Sequence, residues 1–371
     1  MTAFSLYDKT STSSGVYVMF MVNRLQMLYF ILIMPSHLVH PYMIWGIIAI
    51  GILSQINLTM LSKWFASDYS AKGYQGFVQL FGERMVRFFA FIGLFVILIK
   101  ITVIALGYVE VVYQFIFPLM NTNWMILFIL LISWYVAAQG MEKTIRFVVI
   151  AFLSTVWIIL VYFPFFFPPI ASLYDLYPLI PVDWSMHSWK GLLFIWSSLS
   201  GPEYLICLVP WLNSKQKMLK YLTIANAMSV LEYLLLFVAS LLFFGSNYLS
   251  KSKFPVIDMI RYLQSPVFDR IDIILISVHM FHFVFAISIF LLYFYGAVRI
   301  IVGRLHEQTT RIGFMTSCIT IFICMIIVNE WFWKAGAEPN IWVDIQIWLG
   351  ALTYFLVPAF LLIAIKRKGH I

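Results

Sequence analysis

Apolar residues run through this chain in blocks of about twenty, interrupted by short polar connections. Taking about 20 apolar residues per bilayer crossing, the pattern predicts ten helical spans, near 16–35, 42–60, 88–117, 124–138, 145–167, 190–212, 219–244, 271–300, 312–333 and 342–365. The third and eighth are longer than a perpendicular helix needs, which implies tilt or protrusion. The longest connections, 61–87, 168–189 and 245–270, are too short to bury a core of their own. Residues 1–371 therefore read as a single all-α transmembrane domain. Within the last connection, "FPVIDMIRYLQSPVFDRIDI" (254–273) mixes apolar and charged residues near helical spacing. It predicts a short surface helix on the outer side, acting either as an ordinary cap over a loop or as an external gate.

Composition agrees: 63% of residues are hydrophobic and 11% charged, with a mean hydropathy of +0.93, far from a water-soluble average. The net charge of +8 would suit nucleic acid only if gathered into a stripe or module, and it is dispersed between apolar runs. Topology accounts for it better. With the N-terminus inside, 16 Lys and Arg residues fall on inner connections, 6 on outer ones, and Arg24 and Lys100 lie within spans. The positive-inside rule then places both termini in the cytoplasm. Cys207, Cys318 and Cys324 have no paired spacing, so neither a disulfide framework nor a zinc site is indicated. The polar first 14 residues lack the basic region and cleavage site of a signal peptide.

One span is anomalous. "FIWSSLSGPEYLICLVPWL" (194–212) carries Gly201, Pro202 and Glu203 at mid-depth. Irregular backbone at that depth survives only where it is buried in protein or lines a cavity, so the sixth helix is expected to break there. The half-helix starting at Pro202 directs free N–H groups toward the break. Ser198 and Ser200 either contact a ligand there or cap the freed backbone. Intramembrane charges face the bundle interior and have partners. From a rise of 1.5 Å per residue, Arg24 comes out about 12 Å from one membrane face and Glu203 about 10 Å, with Lys100 and Glu232 both at about 18–20 Å. Arg24 with Glu203, and Lys100 with Glu232, are the expected pairs, the alternative for Arg24 being to snorkel. Glu110 is expected to be a solvated carboxylate near the end of its span. His279 and His282 share a helical face, but no third metal ligand follows at suitable spacing, which leaves pore-lining or packing roles. Glu142 and Arg146 read as an i,i+4 ion pair.

Several features together resemble one family. "QGMEKTIRF" (139–147), with Gly140, Glu142 and Arg146, is similar to the Gly-x-Glu-x-x-x-Arg signature of the spore-germination permeases, the B subunits of nutrient germinant receptors. "SGPEYLICLVPWL" resembles their sixth helix, and the stretch from Phe254 and Pro255 to Ile273 resembles the approach to their eighth. These permeases belong to the amino acid-polyamine-organocation transporter superfamily. The resemblance implies a five-plus-five inverted repeat, 15–167 and 190–365, in which Pro35 and Pro210 are offset by 175 and Gln26 matches Gly201. It also implies A-type and lipoprotein C-type partner subunits, and residence in the spore inner membrane or the cell membrane. Unlike the family pattern, "NRLQMLYFILIMP" (23–35) has no glycine, so helix one is expected to be less broken.

The ligand site expected from these readings comprises Arg24, Gln26, Lys100, Ser198, Ser200, Gly201, Pro202, Glu203 and His282, with Pro35, Gly140, Glu142, Arg146, Pro210 and Pro255 structural. Two functions use such a pocket: a receptor subunit that binds a small, amino-acid-like germinant, and a proton-coupled amino acid permease. No catalytic signature such as HExxH or Gly-x-Ser-x-Gly is present, and no cofactor or metal is indicated.

Overall fold

The computed structural model describes residues 5–180, 186–213, 217–263, 270–305, 307–333 and 340–368, with backbone alone for 29–36, 186 and 187. Thr2, Lys215, Lys334 and Ile371, and the side chain of Pro35, lie outside the described residues. Among the described residues the regular elements are helices, apart from one isolated bridge between Ser13 and Leu212. Its α-helices are α1 (Gly15–His37), α2 (Met43–Phe65), α3 (Asp68–Ala71), α4 (Tyr74–Phe81), α5 (Glu83–Phe115), α6 (Thr122–Ala138), α7 (Met141–Val156), α8 (Met186–Ser198), α9 (Met218–Leu249), α10 (Pro255–Arg261), α11 (Ile271–Val302), α12 (Arg311–Trp331) and α13 (Ile341–Lys368). Three 3-10 segments, Trp157–Phe166, Leu173–Leu176 and Pro202–Trp211, lie between them.

Eight segments among the described residues are long and apolar enough to cross a membrane: α2, α5, Met141–Phe166, Ser188–Trp211, α9, α11, α12 and α13. Their burial pattern fits lipid as solvent. Phe88, Ile92 and Phe95 on α5 and Trp348, Leu352 and Phe355 on α13 stand outward at helical spacing, which in water would be an aggregation surface. The opposite situation holds in α11, where every residue from His282 to Tyr295 is buried, as expected of a helix that is apolar all round and sits at the centre. It packs against α5, α6, α7 and α12. α1 packs mainly against α7, α8, α9 and α10, and also touches α5 and α11.

α1 is continuous over 23 residues, consistent with its lack of a mid-helix glycine. The sixth segment is not. α8 stops at Ser198, Gly201 takes φ +154°, and the chain resumes as a 3-10 helix with Pro202 in its first turn. The stretch 254–273 differs from the expected surface helix, because α10 buries five of its seven residues against α1, α9 and α11. Its apolar side faces protein, and the sequence pattern alone cannot distinguish that from a membrane interface. Residues 264–269 of that stretch lie outside the described residues.

The signature around Gly140 holds the N-terminal segment. Gly140, at φ +95°, separates α6 from α7, and a Cβ there would lie 3.3 Å from the Leu6 carbonyl, which accepts from the Met141 N–H at 2.8 Å. The Glu142 carboxylate accepts from the Thr10 N–H at 3.0 Å, the Thr10 hydroxyl at 2.6 Å and the Ser11 hydroxyl at 2.7 Å, and it pairs with Arg146 as the spacing predicts. Glu142→Ala is expected to release this segment while leaving the bundle intact. Amide exchange over residues 5–13 should accelerate about tenfold, equivalent to about 1.4 kcal/mol. Unchanged exchange there would show that Glu142 does not hold the segment.

Candidate functional site

The break in the sixth segment is built by contact with α1. A Cβ at Gly201 would fall 2.7 Å from the Leu25 Cβ and 3.3 Å from its carbonyl carbon, so only glycine allows this approach. The freed backbone is then capped from two sides. The Gln26 side-chain N–H donates to the Leu199 carbonyl at 3.1 Å, and the Gly201 N–H donates to Glu203 Oε2 at 2.7 Å. Glu203 therefore caps the irregularity with one oxygen. Its Oε1 has no hydrogen-bond partner among the described residues, and the same holds for Gln26 Oε1 and Ser198 Oγ. Lys100, fully buried on α5, donates to Ser200 Oγ at 3.1 Å, lies over the Tyr204 ring at 4.5 Å and interacts electrostatically with Glu203. A cation and an anion, with unsatisfied donors and acceptors around them, thus converge on Ser198–Glu203.

Arg24 goes elsewhere. Its guanidinium pairs with Glu232 at 3.0 Å and donates to Asn23 Oδ1 at 2.9 Å and Thr155 Oγ1 at 2.6 Å. Asn23 in turn donates to Ser229 and Glu232. The His282 Nε2–H donates to the Arg24 carbonyl, and the His279 Nδ1–H donates to Leu275 within its own helix. The network joins α1, α7, α9 and α11, and the adjoining cavity of about 20 Å³ has room for roughly one water. Among the described residues, no three His, Cys, Asp or Glu side chains converge as a metal site.

Both expected pairs are therefore exchanged: Arg24 meets Glu232, and Lys100 meets the Glu203 end of the break. The reason is the facing of α1: Leu25 and Gln26 meet the break, whereas Asn23 and Arg24 turn to Ser229 and Glu232 on α9 and Thr155 on α7. Nor does Arg24 snorkel, since only 2% of its surface is exposed. Glu110 also departs from expectation. It is buried, paired with Lys253 at 2.7 Å and bonded by Trp333 Nε1 at 3.1 Å, beside an open cavity of about 420 Å³ that reaches Tyr113, Asn121 and Glu330. Its position near a helix end suggested water, but the connection holding Lys253 folds over it.

Of the residues expected at the site, the break gathers Gln26, Lys100, Ser198, Ser200, Gly201, Pro202 and Glu203, while Arg24 and His282 belong to the separate network. Sequence reasoning passed over Asn23, Thr155 and Ser229, whose polarity is common in helices, and over Gln346, an uncharged residue in a search for charges.

Comparison with known proteins agrees with this architecture. Over 96% of this chain the fold resembles two solved structures: a histidine-to-alanine mutant of the manganese transporter of Eremococcus coleocola, at 10% identity, 81% coverage of that chain and a TM-score of 0.54, and MhsT in complex with L-phenylalanine, at 12% identity, full coverage of that chain and a TM-score of 0.50. The molecule is thus an all-helical membrane protein with a transporter fold. The sequence pattern of the spore permease family, described as "Spore germination protein", matches residues 45–332, and the chain belongs to that family. A curated relative, the spore germination protein GerQB of Bacillus cereus, is 28% identical over 125 residues. That match spans about a third of each protein, 33% of this chain and 34% of GerQB.

Proposed function

We propose that this chain is the transporter-like membrane subunit of a nutrient germinant receptor, and that it binds a small amino-acid-like germinant at the break between Ser198 and Glu203. The observation that carries the reading is a set of buried polar atoms at the break, Gln26 Oε1, Ser198 Oγ and Glu203 Oε1, that have no hydrogen-bond partner among the described residues. Lys100, which contacts Ser200 in the same break, can receive a ligand carboxylate while Glu203 receives an ammonium group. The family and the partial match to GerQB support a role in germination. The solved L-phenylalanine complex of MhsT shows that a fold of this kind accommodates an amino acid. The receptor reading places ten spans in the spore inner membrane or cell membrane as a five-plus-five inverted repeat (15–167 and 190–365), with both termini in the cytoplasm. Its partners are A-type and lipoprotein C-type subunits, to which ligand binding passes a conformational change. No catalytic role and no cofactor enter it.

A second reading, a proton-coupled amino acid permease, is favoured by Glu203, whose free oxygen stands in a buried site near a lysine. Proteoliposomes separate the two: accumulation of amino acid against a gradient supports the permease, and saturable binding without accumulation supports the receptor. Glu203→Gln tests the site itself. The amide oxygen keeps the cap on the Gly201 N–H, while the NH2 group replaces the free acceptor with a donor. Subunit abundance should be preserved and affinity for amine-bearing ligands should fall about tenfold or more, the loss expected for a hydrogen bond to a charged group. Normal affinity in this variant would remove Glu203 from the ligand site.

A further inference from the structure

α13 brings an unassigned amide to the break. Gln346 lies one turn before Gly350, is 2% exposed, and neither its Oε1 nor its Nε2 has a hydrogen-bond partner among the described residues. Its placement follows from Gly350. A Cβ there would fall 2.4 Å from Ser197 Oγ, 3.3 Å from Ser200 Oγ and 3.4 Å from Gln346 Nε2. The missing Cβ lets α13 settle against the last turn of α8, and the space it leaves is bordered both by the Gln346 amide and by the hydroxyl that Lys100 contacts. Trp196 Nε1, also on α8, donates to the Ala351 carbonyl at 3.0 Å and fixes the same turn of α13.

An amide left in this state costs free energy, because every buried donor or acceptor without a partner retains its desolvation penalty. Leucine has nearly the same size and carries no such penalty. A glutamine here is consistent with a bound group that completes its hydrogen bonds. The amide presents a donor and an acceptor side by side, and another carboxamide answers both in one plane. Charged groups already have their counterparts in Lys100 and Glu203, so the Gln346 amide is left for an uncharged polar portion of the ligand.

We propose that Gln346 is a ligand-binding residue of this site and that its amide selects small amino-acid-like ligands carrying a carboxamide. The inference rests on the break being the ligand site, as set out under Proposed function. A site that hydrogen-bonds a polar group rejects the isostere lacking it far more strongly than an apolar pocket rejects a changed methylene.

The test uses the chain co-purified with its partner subunits in lipid nanodiscs, as parent and as Gln346→Leu, with L-asparagine and its isostere L-leucine as probes. Without ligand, Gln346→Leu should melt at or above the parent temperature; a lower melting temperature would show that the amide is structural and overturn the proposal. The parent should bind L-asparagine about tenfold or more tightly than L-leucine, as for a lost hydrogen-bond pair, and Gln346→Leu should remove that preference. Equal affinities in the parent, or an unchanged ratio in the variant, overturn the proposal while leaving the break as the site. If no member of a full amino acid panel binds the parent, the amino acid site and the Gln346 inference fall together.

Discussion

Glu232→Gln, made alone, is expected to remove most of the folded subunit from the membrane. Glu232 accepts from Arg24 with both oxygens and from Asn23 with one. Glutamine offers a single acceptor, so an N–H group would face the donors of Arg24 or Asn23, and the guanidinium would stay buried without a counter-charge. Breaking a buried pair by removing one partner costs about 3–5 kcal/mol, a large share of the total stability of roughly 5–15 kcal/mol for a typical protein. The double variant Arg24→Met, Glu232→Gln removes the stranded charge and should restore abundance, measured by immunoblot of membranes and by thermal unfolding in detergent. The pairing also makes a discriminating prediction, since Glu203→Gln should leave abundance near normal. The reverse outcome, with Glu203→Gln depleted and Glu232→Gln normal, would return Arg24 to Glu203 and undo the network described above.

Gly201→Ala is expected to be nearly as damaging, for a reason of shape. Its backbone lies at φ +154°, where a side chain costs about 1–3 kcal/mol, and the added Cβ meets Leu25 at 2.7 Å. Overpacking of this kind costs a further 1–3 kcal/mol or so. Relief requires α1 to move, and α1 carries Asn23, Arg24 and Gln26 within the same turn. A bulky residue at Gly201 therefore does not simply fill the ligand site over an intact fold; it displaces the helix that builds the site. Gly93, on α5 with nothing within 4 Å of its added Cβ, is the control: Gly93→Ala should be neutral or stabilising by up to about 1 kcal/mol. Equal melting temperatures for the two alanine variants would contradict the close contact between the break and α1.

The limits of what could be read from sequence follow the same physics. Apolar periodicity located the helical segments, because lipid forces each crossing to satisfy its own backbone. Gly201 and Pro202 marked the break because their conformational preferences are local. Pairing between distant charges was not local. It depended on which face of α1 meets the break, with Leu25 and Gln26 turned to it and Arg24 to α9, and an apolar helix carries no record of that facing in its hydrophobicity. Glu110 shows a related failure, since distance along a helix placed it near water while a distant connection supplied Lys253. Gln346 was missed for a different reason: an amide in an apolar span looks harmless until its partners are sought in three dimensions and none is found among the described residues.

The central claim is that a small polar molecule occupies the break between Ser198 and Glu203, and ligand protection of a thiol placed there tests it most directly. Ser198→Cys, in the assembled complex with the native cysteines replaced by serine, would be alkylated with and without a saturating amino acid that raises the melting temperature of the complex. The account predicts that the ligand slows alkylation at residue 198 about tenfold or more while labelling of a control cysteine at Thr10 stays constant. An unchanged rate at residue 198 under the same saturation would place the ligand elsewhere and contradict the account.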